Sequence, residues 1–339
     1  MRNKTLLVGG GLLLAIIVVV HSVFAIELKM SHFMPTKHVQ HTEVMIPFVQ
    51  EVEKATQGRI KITVYPGGVL VKAPDHYDAA VTGIVDFGYV VHGYTPGKFP
   101  LTSVIELPFL FSSAVHGTRV FHELWKRFPE FAKEHSGVKV CWVWAGDTGQ
   151  LFTTKKMVRS MEDLKGMKIR THSLVLKSTL EKLGAVPVTL PISELYEALQ
   201  KGVIDGCITP WSAIYDFGLH EVVKYATVSN FYVPSFAMVM NINSFNRLSP
   251  EDQKVLDEMM GEKMGLKAAT VYDKAAQLGI DVLKKKGVTI YTLTNDEQER
   301  WKKAVRDVYS KWVSDMEKKN LPGKKVLEEA QKLATEYLQ

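Results

Sequence analysis

One arginine in the sequence is placed where it could bind an anionic ligand. Arg170 ends Met167-Lys-Ile-Arg170, a short alternating stretch that predicts a β-strand. A guanidinium held at a strand end needs an anionic partner, and its forked N–H groups match a carboxylate better than a lysine ammonium does. Two partners remain open at this point, the carboxylate of a bound ligand or an Asp or Glu of the chain itself.

Aromatic residues and one histidine at other predicted strand ends and connections extend this candidate site. Aromatic side chains commonly line ligand pockets, where they cover the apolar body of the ligand. The residues in question are His32, Phe33, Tyr94, Trp144, Trp211, Phe231 and Tyr232. The competing interpretation is burial in the core for each aromatic residue, and a structural hydrogen bond for His32.

The sequence contains no motif that indicates catalysis or a cofactor. His-Glu-x-x-His, Gly-x-Ser-x-Gly, the P-loop and a Gly-x-Gly-x-x-Gly after a strand are all missing. His38 and His41 suit one helix face, but no third metal ligand is near, which favours a surface pair. Cys141 and Cys207 each lie in an apolar run, so buried free thiols are the simpler interpretation and a disulfide stays open. We therefore expect a binding protein without cofactor, metal or enzymatic activity.

The segment from Asp163 to Pro210 forms the framework that positions Arg170. It reads as turn, strand, helix, strand, helix and strand, with helices that end at Gly184 and Gly202. Short strands separated by helices predict a parallel sheet, whose ligands bind beyond the strand ends.

An earlier segment resembles part of this framework. Residues 75–86 and 194–205, which are 119 positions apart, share acidic, Tyr, acidic, Ala, Gly and Asp in the same places. This repetition predicts two lobes of similar construction.

The first 25 residues read as a cleaved signal peptide. Arg2 and Lys4 precede the apolar run Leu6–Val20, and Ala25 suits the cleavage site, so we expect export to the periplasm. Removing this segment lowers the formal net charge from +6 to +4. So small and scattered an excess of cations argues against nucleic acid as a partner.

The remaining chain predicts an α/β fold of two interleaved lobes. Crossovers are expected near 146–149 and 230–234, and a long helix that begins at Ser249-Pro250 and could run to Lys286 braces both lobes. The expected boundaries are 26–147 plus 235–275 for lobe I. Lobe II takes 148–234 plus 276–339, including the C-terminal helices.

The chain resembles the solute-binding receptors of tripartite ATP-independent periplasmic (TRAP) transporters, the DctP-like family. The resemblance covers nearly the whole exported chain. It includes residues 56–66, Asp163-Leu-Lys-Gly-Met-Lys-Ile-Arg170, residues 194–206 and the helix start at Leu248-Ser-Pro-Glu, and the signature that ends at Arg170 is specific to this family. It implies a two-lobed periplasmic binding protein fold in which Arg170 pairs the ligand carboxylate. It also implies a monomer that binds a small organic acid and delivers it to membrane permease subunits.

Two departures from the family pattern bear on the ligand. Gln150 stands where many members have a second arginine, and Cys207-Ile-Thr-Pro210 followed by Trp211 replaces a more polar run. Gln150 and Thr209 thus occupy positions where a second anchor is expected. Loss of a cation and an amide favours a monocarboxylate with an apolar or aromatic body.

Other functions remain open on the sequence alone. A receptor for C4-dicarboxylates has the same signature, and a sensory receptor for a membrane kinase or chemoreceptor has the same architecture. A periplasmic hydrolase that uses the same cleft is disfavoured by the missing catalytic motifs.

Overall fold

The computed structural model describes residues 25–338, in which helices surround two mixed β-sheets. The strands are β1 (Ile26–Ser31), β2 (Ile60–Tyr65), β3 (Phe87–Val91), β4 (Val138–Ala145), β5 (Gly149–Thr153), β6 (Lys168–Thr171), β7 (Val186–Thr189), β8 (Gly206–Pro210), β9 (Tyr225–Val228), β10 (Ser235–Asn241) and β11 (Thr289–Thr292). The helices are α1 (Ile46–Ala55), α2 (His76–Thr82), α3 (Ala114–Arg127), α4 (Glu130–Glu134), α5 (Met161–Leu164), α6 (Leu174–Lys182), α7 (Leu195–Gln200), α8 (Trp211–Asp216), α9 (Ile242–Asn246), α10 (Pro250–Met259), α11 (Glu262–Lys285), α12 (Asn295–Ala304), α13 (Arg306–Glu317) and α14 (Gly323–Glu336). The chain is an α/β protein, as the sequence predicts.

The two sheets interleave because each contains one strand that enters from the other. The first sheet has the order β2-β1-β3-β10-β4, and the second has the order β11-β9-β5-β8-β6-β7. Strands β6, β7 and β8 run parallel, which confirms the parallel arrangement predicted around Arg170. The strands that cross over, β10 in the first sheet and β5 in the second, are antiparallel to both neighbours.

The two crossovers lie side by side. The amide of Gly146 donates to the carbonyl of Pro234 at 2.8 Å, and the amide of Gly149 donates to the carbonyl of Tyr232 at 2.8 Å. The amide of Phe231 returns a bond to the carbonyl of Gly149 at 2.9 Å. These bonds satisfy backbone groups that would otherwise be unpaired where the chain leaves each sheet.

The repeated segment predicted from the sequence forms the same structure twice. In the first sheet the carboxylate of Asp86 accepts from the amide of Lys29 at 2.7 Å. In the second sheet the carboxylate of Asp205 accepts from the amide of Lys168 at 2.8 Å. Both aspartates also donate their own amides to the carbonyl of the same lysine. The repeated Asp therefore joins a helix end to a neighbouring strand in each lobe.

The long bracing helix is shorter than predicted. The sequence favours one helix from Pro250 to Lys286, but α10 and α11 are separated at Gly261, whose φ of 85° is a conformation that other residues rarely adopt. Helix α11 still packs against α3 and β4 beside the first sheet and against α8 beside the second. A Cβ on Gly279 would lie 2.1 Å from the carbonyl oxygen of Trp211, so this glycine permits the close approach to α8.

Several other sequence predictions concern the ends of the chain and its cysteines. Cys141 and Cys207 are both buried free thiols. The predicted signal peptide lies outside the described residues except for Ala25. No helix within 25–338 has both the length and the apolar composition needed to cross a membrane. The predicted lobe boundaries remain predictions, and the one at 275/276 falls inside α11.

The paired aspartates allow a test of how much each strand connection stabilises its lobe. Asp86 also accepts from the hydroxyl of Ser244 and from Arg247, whereas the side chain of Asp205 accepts only from Lys168 among the described residues. We expect Asp86→Ala to lower the free energy of unfolding by about 2–3 kcal/mol and Asp205→Ala by about 1 kcal/mol. Urea unfolding of both variants measures this order, and equal losses would contradict it.

Candidate functional site

A space between the two sheets, here called the cavity, is the candidate site. The space between its walls, together with the open solvent at its mouth, is about 500 Å³. Arg170 on β6 and Thr209 on β8 line it from the second sheet, and Tyr89 on β3 and Phe236 on β10 line it from the first. Ligands of open α/β sheets bind beyond strand ends in this way, so the fold supplies a site that both lobes enclose.

Arg170 is buried, with only 2% of its surface exposed, but is not neutralised by the protein. Its Nε donates to the carbonyl of Leu190 at 2.9 Å, which fixes the orientation of the guanidinium. Its Nη2 lies 3.4 Å from the hydroxyl of Tyr94. Within residues 25–338 no carboxylate lies within salt-bridge distance of Arg170, so the internal ion pair left open by the sequence is not formed. The remaining N–H groups are available to a ligand.

Tyr94 joins the two lobes at the edge of this guanidinium. Its hydroxyl accepts from the amide of Ile192 at 2.8 Å as well as from Arg170. Burial raises the pKa of Tyr94, and the charge of Arg170 opposes that rise. A neutral hydroxyl that accepts two bonds keeps its own proton free, so Tyr94 can donate to an anion beside Arg170.

A buried histidine and a buried carboxylate lie close together next to Arg170. His172, two residues after Arg170, has its Nε2 3.6 Å from Oε2 of Glu106, which approaches from the first lobe. Oε1 of Glu106 accepts from the hydroxyl of Ser235 at 2.9 Å. Burial alone raises the pKa of Glu106, but His172 and hydrogen bonds from Ser173 and Ser235 lower it to about 2. Glu106 is therefore an anion at neutral pH, and it lies where it would offset a positive charge on His172.

Aromatic rings form a continuous wall from the Arg170 end of the cavity to the opposite end. Neighbouring ring centroids along this wall lie 5.2–6.2 Å apart. The order of the rings is Tyr232, His172, Tyr94, Phe33, Tyr89, Phe236, Tyr272 and His38. Such a wall favours a ligand whose body is flat and apolar.

The far end of the wall is polar. The hydroxyls of Tyr89 and Tyr272 lie 2.7 Å apart. The carboxylate of Asp147 accepts from the hydroxyl of Ser212 at 2.5 Å and from its amide at 3.2 Å. Burial raises the pKa of Asp147 to about 7, although the bonds from Ser212 oppose that rise.

Five of the ten residues predicted from the sequence line the cavity. They are Phe33, Tyr94, Arg170, Thr209 and Tyr232. The hydroxyl of Thr209 is fully buried and has no hydrogen-bond partner within the described chain, so it is free to contact a ligand.

The other five predicted residues lie outside the cavity wall, which argues against direct ligand contact. The amide of Gln150 instead holds the crossover, because its Nε2 donates to Asn230 at 2.7 Å and its Oε1 accepts from the backbone of Ser229 and Asn230. His32 makes the structural bond left open by the sequence, with its Nε2 2.9 Å from Nδ1 of His41.

Packing accounts for the three remaining aromatic residues. Trp144 stacks on Phe236 behind the cavity wall, with ring centroids 5.3 Å apart. Trp211 packs on Phe152 at 5.2 Å, and Phe231 packs on Trp301 at 4.9 Å.

Several cavity residues were not predicted. His172 could have been found, because strand alternation places it on the same face as Arg170. Asp147 follows a buried strand within the predicted crossover and read only as a turn residue. Tyr272 gives no signal, since it is one apolar position among many on α11. His38 was predicted to be a surface residue, but it is 2% exposed and lines the cavity.

Comparison with known proteins gives a consistent result. Residues 30–315 match the family described as bacterial extracellular solute-binding protein, family 7. A C4-dicarboxylate-binding periplasmic protein of Rhodobacter capsulatus is 27% identical over 266 residues, covering 77% of this chain and 79% of that protein.

Two solved structures are similar over nearly their whole length. A TRAP solute-binding protein of Rhodoferax ferrireducens, in complex with copurified benzoate, is 28% identical with a TM-score of 0.88, over 92% of this chain and 98% of that one. A marine metagenome TRAP solute-binding protein specific for aromatic acid ligands, with co-crystallised 3-hydroxybenzoate, is 30% identical with a TM-score of 0.89, over 93% and 99%.

The raised pKa of Asp147 leads to a pH-dependent prediction for the ligand-free protein. Between about pH 4 and pH 7 the folded protein holds a proton on Asp147 that the unfolded chain releases, so stability from this group falls as pH rises. Asp147→Asn removes the titration, and we expect the difference in melting temperature, variant minus wild type, to become more positive from pH 4 to pH 8. The free energy of unfolding that Asp147 contributes changes by at most about 1.4 kcal/mol per pH unit.

A difference for Asp147→Asn that stays flat across this range would contradict the prediction.

Proposed function

The chain belongs to the bacterial extracellular solute-binding proteins of family 7, the receptors of TRAP transporters, and we propose that its ligand is an organic monocarboxylate bound through Arg170. Proteins of this family bind substrates for a membrane transporter and are not enzymes. The ligand that we propose has an apolar or aromatic body. The protein would be exported to the periplasm by residues 1–25 and would deliver the ligand to the permease subunits.

The observation that carries the proposal is a buried guanidinium without a carboxylate partner. Removing a charged group from water costs several kcal/mol unless an opposite charge compensates. Leu190 and Tyr94 offer Arg170 neutral oxygens only. A ligand carboxylate would supply the missing charge and could form two parallel bonds to the guanidinium.

The charge balance of the cavity favours one carboxylate over two. Arg170 is the one Lys or Arg among the cavity-lining residues of the described chain. The carboxylate of Glu106 lies beside His172 and would offset a positive charge on that ring. At the far end Asp147 supplies no positive charge for a second carboxylate. A dicarboxylate would thus bury one charge without a partner.

The aromatic wall of the cavity and the ligands of the similar solved structures both support a ligand with an aromatic body. The rings between Tyr232 and His38 cover the length of the cavity with apolar surface, and offset or edge contacts with a ligand ring are favourable there. The two similar structures described above hold benzoate and 3-hydroxybenzoate. The Rhodobacter relative, named for C4-dicarboxylates, represents the alternative.

Substitution of Arg170 tests the anchor. Loss of one partner from a buried charge pair costs about 2–5 kcal/mol, so Arg170→Ala should weaken benzoate binding at least ~30-fold. Arg170→Lys should also lose much of the affinity, because one ammonium cannot form the forked contact. Titration calorimetry measures both variants against Arg159→Ala, which changes an exposed arginine. Near-native affinity in a folded Arg170→Ala protein would refute the proposal.

A ligand panel tests the choice between one and two carboxylates. Benzoate, phenylacetate and branched 2-oxo acids should raise the melting temperature more than succinate or malate at the same pH and concentration. A ligand at 100 times its dissociation constant adds about 2.7 kcal/mol of stability, which thermal unfolding detects readily. The shifts should vanish in Arg170→Ala. The largest shifts from C4-dicarboxylates would overturn the ligand class.

A further inference from the structure

The cavity has a second polar end whose hydrogen-bonding groups the carboxylate of the ligand does not use. We call His38, Tyr89, Asp147, Ser212 and Tyr272 the distal cluster, and all five line the cavity. The order of rings along the wall separates this cluster from Arg170, since Phe33 lies between Tyr94 and Tyr89. A ligand held by Arg170 would therefore meet the cluster with its opposite end.

The two tyrosines of the distal cluster leave one proton without an acceptor. The hydroxyls of Tyr89 and Tyr272 bond only to each other within the described chain, at 2.7 Å. One hydroxyl must donate to the other, so the second proton is available to a third group. Tyr272 is buried, and an unsatisfied buried polar group is costly. This proton indicates an acceptor on the ligand.

Asp147 supplies an acceptor to the same end of the cavity. Each of its oxygens accepts one bond from Ser212, and a carboxyl oxygen has two lone pairs, so further acceptor positions remain. Asp147 is only 2% exposed and belongs to no ion pair in residues 25–338. Its raised pKa agrees with a carboxyl group short of polar partners.

His38 lies at the border of the cluster, and its ring proton faces a buried carboxylate. Its Nδ1 accepts from the amide of Gln40 at 3.1 Å, which places the ring proton on Nε2. That atom lies 3.5 Å from Oδ2 of Asp216, a buried carboxylate whose oxygens have no hydrogen-bond partner of good geometry among the described residues. The distal cluster thus presents a donor, the second tyrosine proton, and an acceptor, Asp147, and a hydroxyl is the smallest neutral group that can use both.

We propose that the distal cluster binds a hydroxyl group of the ligand, so that the receptor selects hydroxylated aromatic monocarboxylates over unsubstituted or methylated ones. This inference rests on the proposed function, because Arg170 must first orient the carboxylate. Sites that bond a substrate hydroxyl discriminate strongly against analogues without it, since the buried partners are then left unpaired.

Matched ligand pairs test this inference on the wild-type protein. Hydroxyl and methyl groups are similar in size, so calorimetry compares 3-hydroxybenzoate with 3-methylbenzoate, 4-hydroxybenzoate with 4-methylbenzoate, and the corresponding phenylacetates. We expect at least one hydroxy acid to bind about tenfold or more tightly than its methyl partner. Methyl partners that bind as tightly as the hydroxy acids in every pair would overturn the inference. Tighter binding of 4-(aminomethyl)benzoate would assign the cluster to a cation instead and would also overturn it.

Variants identify the residues responsible. Tyr272→Phe and Asp147→Asn should each reduce the hydroxyl-to-methyl affinity ratio at least threefold. Tyr309→Phe is the matched control, because it removes a buried hydroxyl that bonds to Pro108 away from the cavity, and it should leave the ratio unchanged. A ratio that persists in both folded cavity variants would exclude the cluster as its source.

The outcomes separate this inference from the proposed function. If no aromatic monocarboxylate binds the wild type, the proposed function fails and the inference fails with it. If benzoate binds and Arg170→Ala abolishes that binding, but the hydroxyl gives no advantage, only the inference fails.

Discussion

The burial of the Arg170 guanidinium without a carboxylate is the constraint on which the rest of the site depends. Such a charge is tolerable only where hydrogen bonds orient it and a ligand completes it. The parallel pairing of β6 with β7 and β8 fixes its backbone, and the carbonyl of Leu190 fixes its side chain. The unpaired buried charge therefore lowers the stability of the ligand-free protein, but it leaves the cavity already arranged to bind an anion.

The charges around Arg170 set how many anionic groups the cavity can hold. A histidine two residues away could have served as a second cation, but Glu106 approaches it from the other lobe. Because the pKa of Glu106 is lowered to about 2 by this environment, its carboxylate is an anion at neutral pH and would offset a positive charge on the histidine. The number of cationic groups lining a pocket is thus a poor guide to ligand charge unless their buried partners are also counted.

Sequence patterns predicted the framework well and the site only in part. Arg170 was predictable because strand alternation and the turn before it are local features. The repeated segments ending at Asp86 and Asp205 were predictable for the same reason, since each aspartate bonds to the neighbouring strand. The residue at which a helix ends was harder to predict, because it depends on single residues. Hydrophobic periodicity alone predicts one continuous helix, but Gly261 divides it into α10 and α11.

Cavity aromatics were harder to predict because both faces of a covered sheet are apolar. Trp144 is buried at the end of β4, yet it packs behind Phe236 instead of facing the cavity. Gln150 was expected to provide a second anchor for the ligand, but its amide bonds to the crossover at Asn230. Which face of a strand meets the ligand depends on how the two sheets pack, and local sequence does not contain that information.

The atoms that would hold the ligand are also the atoms that join the lobes. Tyr94 follows β3 of the first sheet, but its hydroxyl accepts from Ile192 and Arg170, which belong to the second lobe. Glu106 and His172 meet across the same boundary. A carboxylate beside Arg170 gains the Tyr94 proton only when the lobes are as close as they are here. Because a ligand shifts an equilibrium only through its differential affinity for the two states, this shared hydroxyl makes ligand binding favour the joined arrangement.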